Sequence, residues 1–127
     1  MRPKFIAVFL GLAFLCGIQM VSAGQGFGVK VYDGAKYDEA ISKFVSGIGA
    51  GEAFCYVTKD SLEKVVAFYK KQPSFELFSN DKETAMFMYK KGNRDTGINI
   101  TIQNPWMDTK TGKMRNDTLI SIVKPTT

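Results

Sequence analysis

Apolar and polar positions along this chain keep two rhythms, one of period two and one of helical period, and the switches between them divide it into elements. Val29 and Val31 alternate with polar neighbours and predict a short strand ending at the Asp33-Gly34 turn. From Tyr37 the rhythm becomes helical. Tyr37, Ile41, Phe44 and Ile48 form one stripe, Asp38 and Glu39 stand in the first turn where the helix dipole favours acids, and the run Gly47 to Gly51 closes the segment. This predicts a short helix over about residues 37–47. Alternation returns at 53–57, with Ala53, Cys55 and Val57 on one side of a strand. The strongest helical signal follows over about residues 60–72: Leu62, Val65, Val66 and Tyr69 share a stripe, Lys70 and Lys71 suit the last turn, and Pro73 ends it. Asp60 is the expected cap, with Glu63 returning the bond three residues on.

The remainder reads as strands. FELFS and TAMFMYKK flank the turn-rich NDKE and predict a hairpin. GINITI aligns Ile98, Ile100 and Ile102 on one face; TLISIV sets Ile120 and Ile122 on one face and Leu119 and Val123 on the other. Between them Asp108 to Gly112 predicts a hairpin loop with glycine in the left-handed position, and a turn centred near Lys110 pairs Ile100 with Ile120 and Ile98 with Ile122. Asn104-Pro105 interrupts this long C-terminal hairpin. Strands that follow helices argue for an α+β fold: an antiparallel sheet with the main helix and the shorter one packed on one face.

The first 23 residues stand apart. Arg2 and Lys4 precede the uncharged run Phe5 to Leu15, and Val21-Ser22-Ala23 offers small residues where a signal peptidase reads. The expectation is a secretory signal peptide cleaved after Ala23, with an uncleaved anchor as the alternative; a lipid anchor on Cys16 is disfavoured because bulky Leu15 precedes it. Removing residues 1–23 from the 127 leaves 104, a single domain at 24–127, and lowers the net charge from +5 to +3 as Arg2 and Lys4 depart. The protein is then expected in the periplasm or outside the cell, with no stable membrane insertion after cleavage. So mild and dispersed a charge argues against a nucleic-acid partner.

Export leaves Cys55 as the only cysteine, so no internal disulfide can form. Its place on the small apolar face of a strand, away from any histidine, reads as a buried inert thiol. The chain has no histidine at all, which removes histidine-based nucleophile arrangements and histidine-liganded metal sites. Gly47 to Gly51 lacks dinucleotide-loop spacing, and Lys110 occupies the third position of the Asp108 loop, where calcium requires an oxygen. No cofactor is expected. A carboxylate-based hydrolase remains open, since 12 acidic residues are spread along the chain.

Two motifs carry sharper readings. Met86 and Met88 share one face of a strand, either as adaptable core filler or as soft thioether ligands for Cu(I). Trp106, the only tryptophan, follows the strand break: it either caps the end of the core or serves as a contact. The distal half of the terminal hairpin is expected to project beyond the sheet, where Trp106, Met107, Lys110, Lys113 and Arg115 combine an aromatic anchor, a thioether and a charged rim into a candidate binding surface.

VYDGAKYDEA, YVTKDSLEKVVAFYKK and DTLISIVK together resemble segments of small exported bacterial proteins of unknown function, which carry a Tyr-x-Gly-Ala-Lys start, a Tyr-x-Thr-x-Asp-Ser helix start and a closing hairpin. The resemblance implies a bacterial envelope or secreted setting and no activity. The chain thus reads as a small exported, non-catalytic interaction module for an envelope protein, peptide or polymer. N-terminal sequencing of the exported protein is expected to begin at Gly24; a start far from it overturns the cleavage reading.

Overall fold

The structure, a computed structural model, describes residues 25–49 and 51–126, so the signal segment expected at 1–23 lies outside the described residues. After one 3-10 turn at Gln25–Gly28 come β1 (Lys36–Tyr37), α1 (Glu39–Gly47), β2 (Glu52–Thr58), α2 (Leu62–Lys70), β3 (Phe75–Asn80), β4 (Thr84–Lys91), β5 (Arg94–Gln103), β6 (Trp106–Asp108), β7 (Lys113–Arg115) and β8 (Thr118–Lys124). Six strands form one sheet in the order β1-β2-β8-β5-β4-β3, and β6 with β7 forms a separate two-stranded ribbon. All the pairings are antiparallel, giving the α+β class that the pattern predicts. Among the described residues no helix is long and apolar enough to cross a membrane.

The isoleucine ladder forms, in a register two residues from the expected one: Ile100 lies opposite Ile122 and Ile102 opposite Ile120. A single hairpin would carry one register from end to end. Here Pro105, which cannot donate a ladder bond, breaks the first arm, and the ribbon leaves the sheet. Two residues separate Gln103 from Trp106 but three separate Arg115 from Leu119, so the sheet and ribbon registers differ by one.

One face of the sheet gathers Tyr56, Phe87, Ile98, Ile100, Ile102, Ile120 and Ile122 beneath Leu62, Val65, Val66 and Tyr69 of α2. Such side chains contribute roughly 1.5–3 kcal/mol each when fully buried. Cover for the same face also comes from the N-terminal segment. Val29 is buried there and Val31 and Tyr32 are partly buried, while the Tyr69 hydroxyl donates to the Lys30 carbonyl at 2.9 Å. The strand expected at Val29–Val31 is therefore a strap over the sheet, its alternation spent on packing; the strand that joins β2 is Lys36–Tyr37.

α1 is not on that face. Its Ile41 packs with Ala53, Cys55, Leu119 and Val123 on the opposite side, so the two helices sandwich the sheet where a common face was expected. The expected stripe on α1 is also rotated: Phe44 and Ile48 are 48% and 61% exposed, while Ser42 is buried. The reason lies in the edge of β2. β1 pairs only with Tyr56 and Val57, leaving the backbone around Ala53 and Cys55 without a strand on that side. α1 supplies the missing partners. The Asp38 N–H donates to the Cys55 carbonyl at 2.9 Å, the Cys55 N–H to Ser42 Oγ at 2.7 Å and the Ala53 N–H to Ser46 Oγ at 2.9 Å. Satisfying a buried strand edge outweighs burying two more apolar side chains. Asp38 caps α1 by accepting from the Ile41 N–H, and Gly51 lets the chain turn into β2 at φ 136°, where a Cβ would overlap the Lys124 carbonyl.

α2 begins one residue later than expected. Ser61, not Asp60, is the N-cap and accepts from the Lys64 N–H at 3.2 Å. Asp60 is otherwise engaged: its carboxylate accepts from the Tyr32 hydroxyl and its carbonyl from Thr118 Oγ1. Ser42→Ala is expected to cost about 1–3 kcal/mol in urea denaturation, because the Cys55 N–H loses its partner in a buried setting. Phe44→Ser, on the stripe the pattern favours, is expected to stay within about 0.5 kcal/mol; the reverse order would return α1 to an apolar role.

A candidate ligand cleft beside a pinned ribbon

The β6–β7 ribbon does not project. Trp106 is 2% exposed and packs with Ile41, Cys55 and Leu119 in the second core, so the tryptophan caps that core and is no free anchor. Its indole N–H donates to Asp117 Oδ1 at 2.9 Å, and the Arg115 guanidinium lies over its ring, 4.7 Å from the centroid. Directly opposite Trp106 in the ribbon, Arg115 also bridges two carboxylates, Asp108 at 3.1 Å and Asp117 at 2.5 Å. A charge-assisted fork of this kind fixes orientation as well as adding energy. The loop is tied in turn: Asp108 Oδ1 accepts from the Lys110 N–H, its carbonyl accepts from the Thr111 and Gly112 N–H groups, and Gly112 takes φ 73°. Lys110 reaches Asp38 at the start of α1, with Nζ 3.7 Å from the carboxylate.

The candidate binding set is thus dispersed by role. Trp106 and Arg115 meet, as parts of the clamp that holds the ribbon down. Lys110 ties the loop to α1, Lys113 is exposed, and Met107 with its cross-strand partner Met114 faces outward at 53% and 55% exposure. Asp117, the residue that joins Trp106 to Arg115, was not singled out in the sequence. Its signal was the charge pattern Asp108, Arg115, Asp117 flanking the hairpin loop, which reads as a clamp once the ribbon folds back.

Met86 and Met88 share a face, and it is the one that α2 does not cover. Ala85 and Phe87, which alternate with them, point into the core, while both methionines stay half-buried. Ser79 and Thr101 flank Met86 in the sheet, and Glu76 and Asn99 flank Met88. Among the described residues no group of three or more histidine, cysteine, aspartate or glutamate side chains is placed to hold a metal. Cys55 is fully buried, its thiol bonded to Ser121 Oγ at 3.5 Å, and burial pushes its pKa up, as befits an inert core cysteine.

The ribbon clamp forms one wall of a cleft of about 610 Å³. Arg115 and Asp117 line this wall; the Asp33–Gly34 turn, β1 and Asp38 line another; Val57 to Asp60, leaving β2, complete it. Its volume falls in the range of small-molecule sites. Most of its charged groups are spent on structure. Asp117 accepts from Trp106 and Arg115, Asp38 from the Ile41 N–H and Lys110, and Asp60 from Tyr32. The bond to Asp60 raises the Tyr32 pKa, since the phenol proton is held between the two oxygens. Compared with protein-family models, curated proteins and solved structures, the chain matches none.

Behind this wall, Asp108 is held below its ordinary 3.8, first by the Lys110 backbone N–H and then by Arg115. A depressed carboxylate contributes stability that is fully present above its unfolded pKa and is lost as pH falls through the folded one. The protein is therefore expected to weaken below about pH 4. Asp108→Asn is expected to lower Tm at pH 7 and to flatten that acid limb, read by thermal melts from pH 7 to 2.5. An unchanged acid limb would remove Asp108 from the clamp.

Proposed function

We propose that the protein is a small exported binding module, without catalysis, that receives its ligand in the cleft between the Asp33–Gly34 turn, the end of β2 and the pinned ribbon. One observation carries the reading. The cleft's rigid walls are built from charges already satisfied by the fold, while Asp33, Lys36 and Lys59 line it in exposed positions with no ion pair among the described residues. Pre-organised walls with a few uncommitted polar groups are the composition of a recognition site.

A hydrolase needs two carboxylates free to exchange protons. In this cleft Asp38 and Asp117 have both oxygens engaged and Asp60 has one held by a tyrosine hydroxyl, so Asp33 is the one lining carboxylate with neither oxygen engaged among the described residues, which favours binding over a two-carboxylate hydrolysis. The likeness to small exported bacterial proteins supports an envelope setting, and with it ligands drawn from envelope protein, peptide or polymer.

The test is a heteronuclear NMR titration of the exported protein with the low-molecular-weight fraction of its native envelope extract. Amide shifts are expected at Gly34, Lys36, Thr58 and Lys59, and they should vanish in the Lys36→Gln, Lys59→Gln double variant. Shifts confined to the outer surface of the ribbon would move the site there. Turnover of envelope material that is lost in Asp60→Asn would establish the hydrolase instead.

A further inference from the structure

Resting on the reading of this cleft as the binding site, the polar groups left over after folding point to its ligand class. The cleft charges divide into those spent on the fold, those free, and Asp60, which has one carboxylate oxygen engaged. Asp117 gives Oδ1 to the Trp106 indole and Oδ2 to Arg115, and Arg115 divides its donors between Asp117 and Asp108. Asp38 gives one oxygen to the α1 N-terminus and the other to Lys110. These groups cannot turn to a ligand without unpinning the ribbon or uncapping the helix.

What remains has both signs. The Asp33 carboxylate has no hydrogen bond or ion pair among the described residues, and Asp60 uses only Oδ2, toward Tyr32. Lys36 and Lys59 are exposed and likewise unpaired among the described residues. A simple anion on the lysines would sit near Asp33 and Asp60, and a simple cation on the aspartates would face the lysines. Like-charge proximity of that kind works against either, so the complement is a molecule bearing one positive and one negative group. Between these charges the lining is partly apolar, with Tyr37 at 38% exposure and half-buried Val57. At about 610 Å³ the cleft is larger than one amino acid fills.

We infer that the cleft binds a short peptide with both ends free, its ammonium toward Asp33 and Asp60, its carboxylate toward Lys36 and Lys59, and its side chains along Tyr37 and Val57. No bond is made or broken.

Three probes test this by NMR titration of the exported protein: the tripeptide Ala-Leu-Ala, its N-acetylated form and its C-amidated form. The free tripeptide is expected to shift the amides of Gly34, Lys36, Thr58 and Lys59, and each blocked form to bind at least tenfold more weakly. Asp33→Asn should shrink the acetylation penalty alone, and Lys36→Gln with Lys59→Gln the amidation penalty alone. All three side chains are exposed, and the unperturbed spectrum of each variant checks its fold. If the blocked forms bind the cleft as tightly as the free one, the zwitterion inference fails while the cleft stands as the site. If no tripeptide binds but envelope extract still shifts the cleft amides, the peptide class fails alone. Tripeptide shifts elsewhere on the molecule overturn both.

Discussion

Everything in this fold answers to one strand that is buried on both faces. β8 lies between β2 and β5, and its residues from Thr118 to Val123 are all buried. Ile120 and Ile122 project into one core, Leu119 and Val123 into the other. A sheet whose central strand is apolar on both sides has no face to give to water, so each side must find a cover. On the first side α2 and the N-terminal strap share the work. On the second, one short helix and a folded-back ribbon do it. Val123→Asp or Ile122→Asp would breach different cores through the same strand.

The second cover is the more unusual, because it relies on polar contacts as well as apolar ones. Ser42 and Ser46 lie four residues apart along α1, a rise of about 6 Å. Cys55 and Ala53 recur every two residues along β2, about 6.6 Å per step. That match lets a helix serve a strand edge that no neighbouring strand pairs, with serine side-chain oxygens, and so removes a template for edge pairing. At the other edge, β3 carries an irregularity at Leu77 to Ser79, a bulge of the kind that also blunts edge pairing.

The ribbon then ties the second core to the cleft. Trp106 fills the second core, but its indole N–H and the facing Arg115 need partners, and Asp108 and Asp117 provide them. The clamp that satisfies those groups also forms a wall of the cleft. On the reading proposed above, recognition falls to Asp33, Lys36 and Lys59, exposed residues that line the cleft and make no ion pair among the described residues. The Trp106 and Arg115 clamp cannot be changed so freely, since removing Arg115 leaves buried Asp108 without its cation.

The local order of elements was legible in the sequence because it depends on short-range periodicity. The α2 stripe, the β3–β4 hairpin, the glycine at the left-handed position of the Asp108 loop and the buried cysteine all follow from neighbours within a few residues. The α+β class followed from the same order. Sidedness did not. Leu119 and Val123 on the second face of β8 already signalled two covers, but which helix takes which face depends on contacts between residues far apart. The stripe on α1 misled because amphipathic spacing counts apolar residues, and here serines were needed inside to satisfy β2. The fold-back of the ribbon hid the cleft as well. Asp33, Asp60 and Asp117 are scattered along the chain and line one cleft only when the ribbon, the β1 turn and the end of β2 meet. Periodicity is a property of neighbours, and the sequence by itself determined what depends on neighbours; the tertiary structure decided whatever required distant backbone edges and charges to be satisfied together.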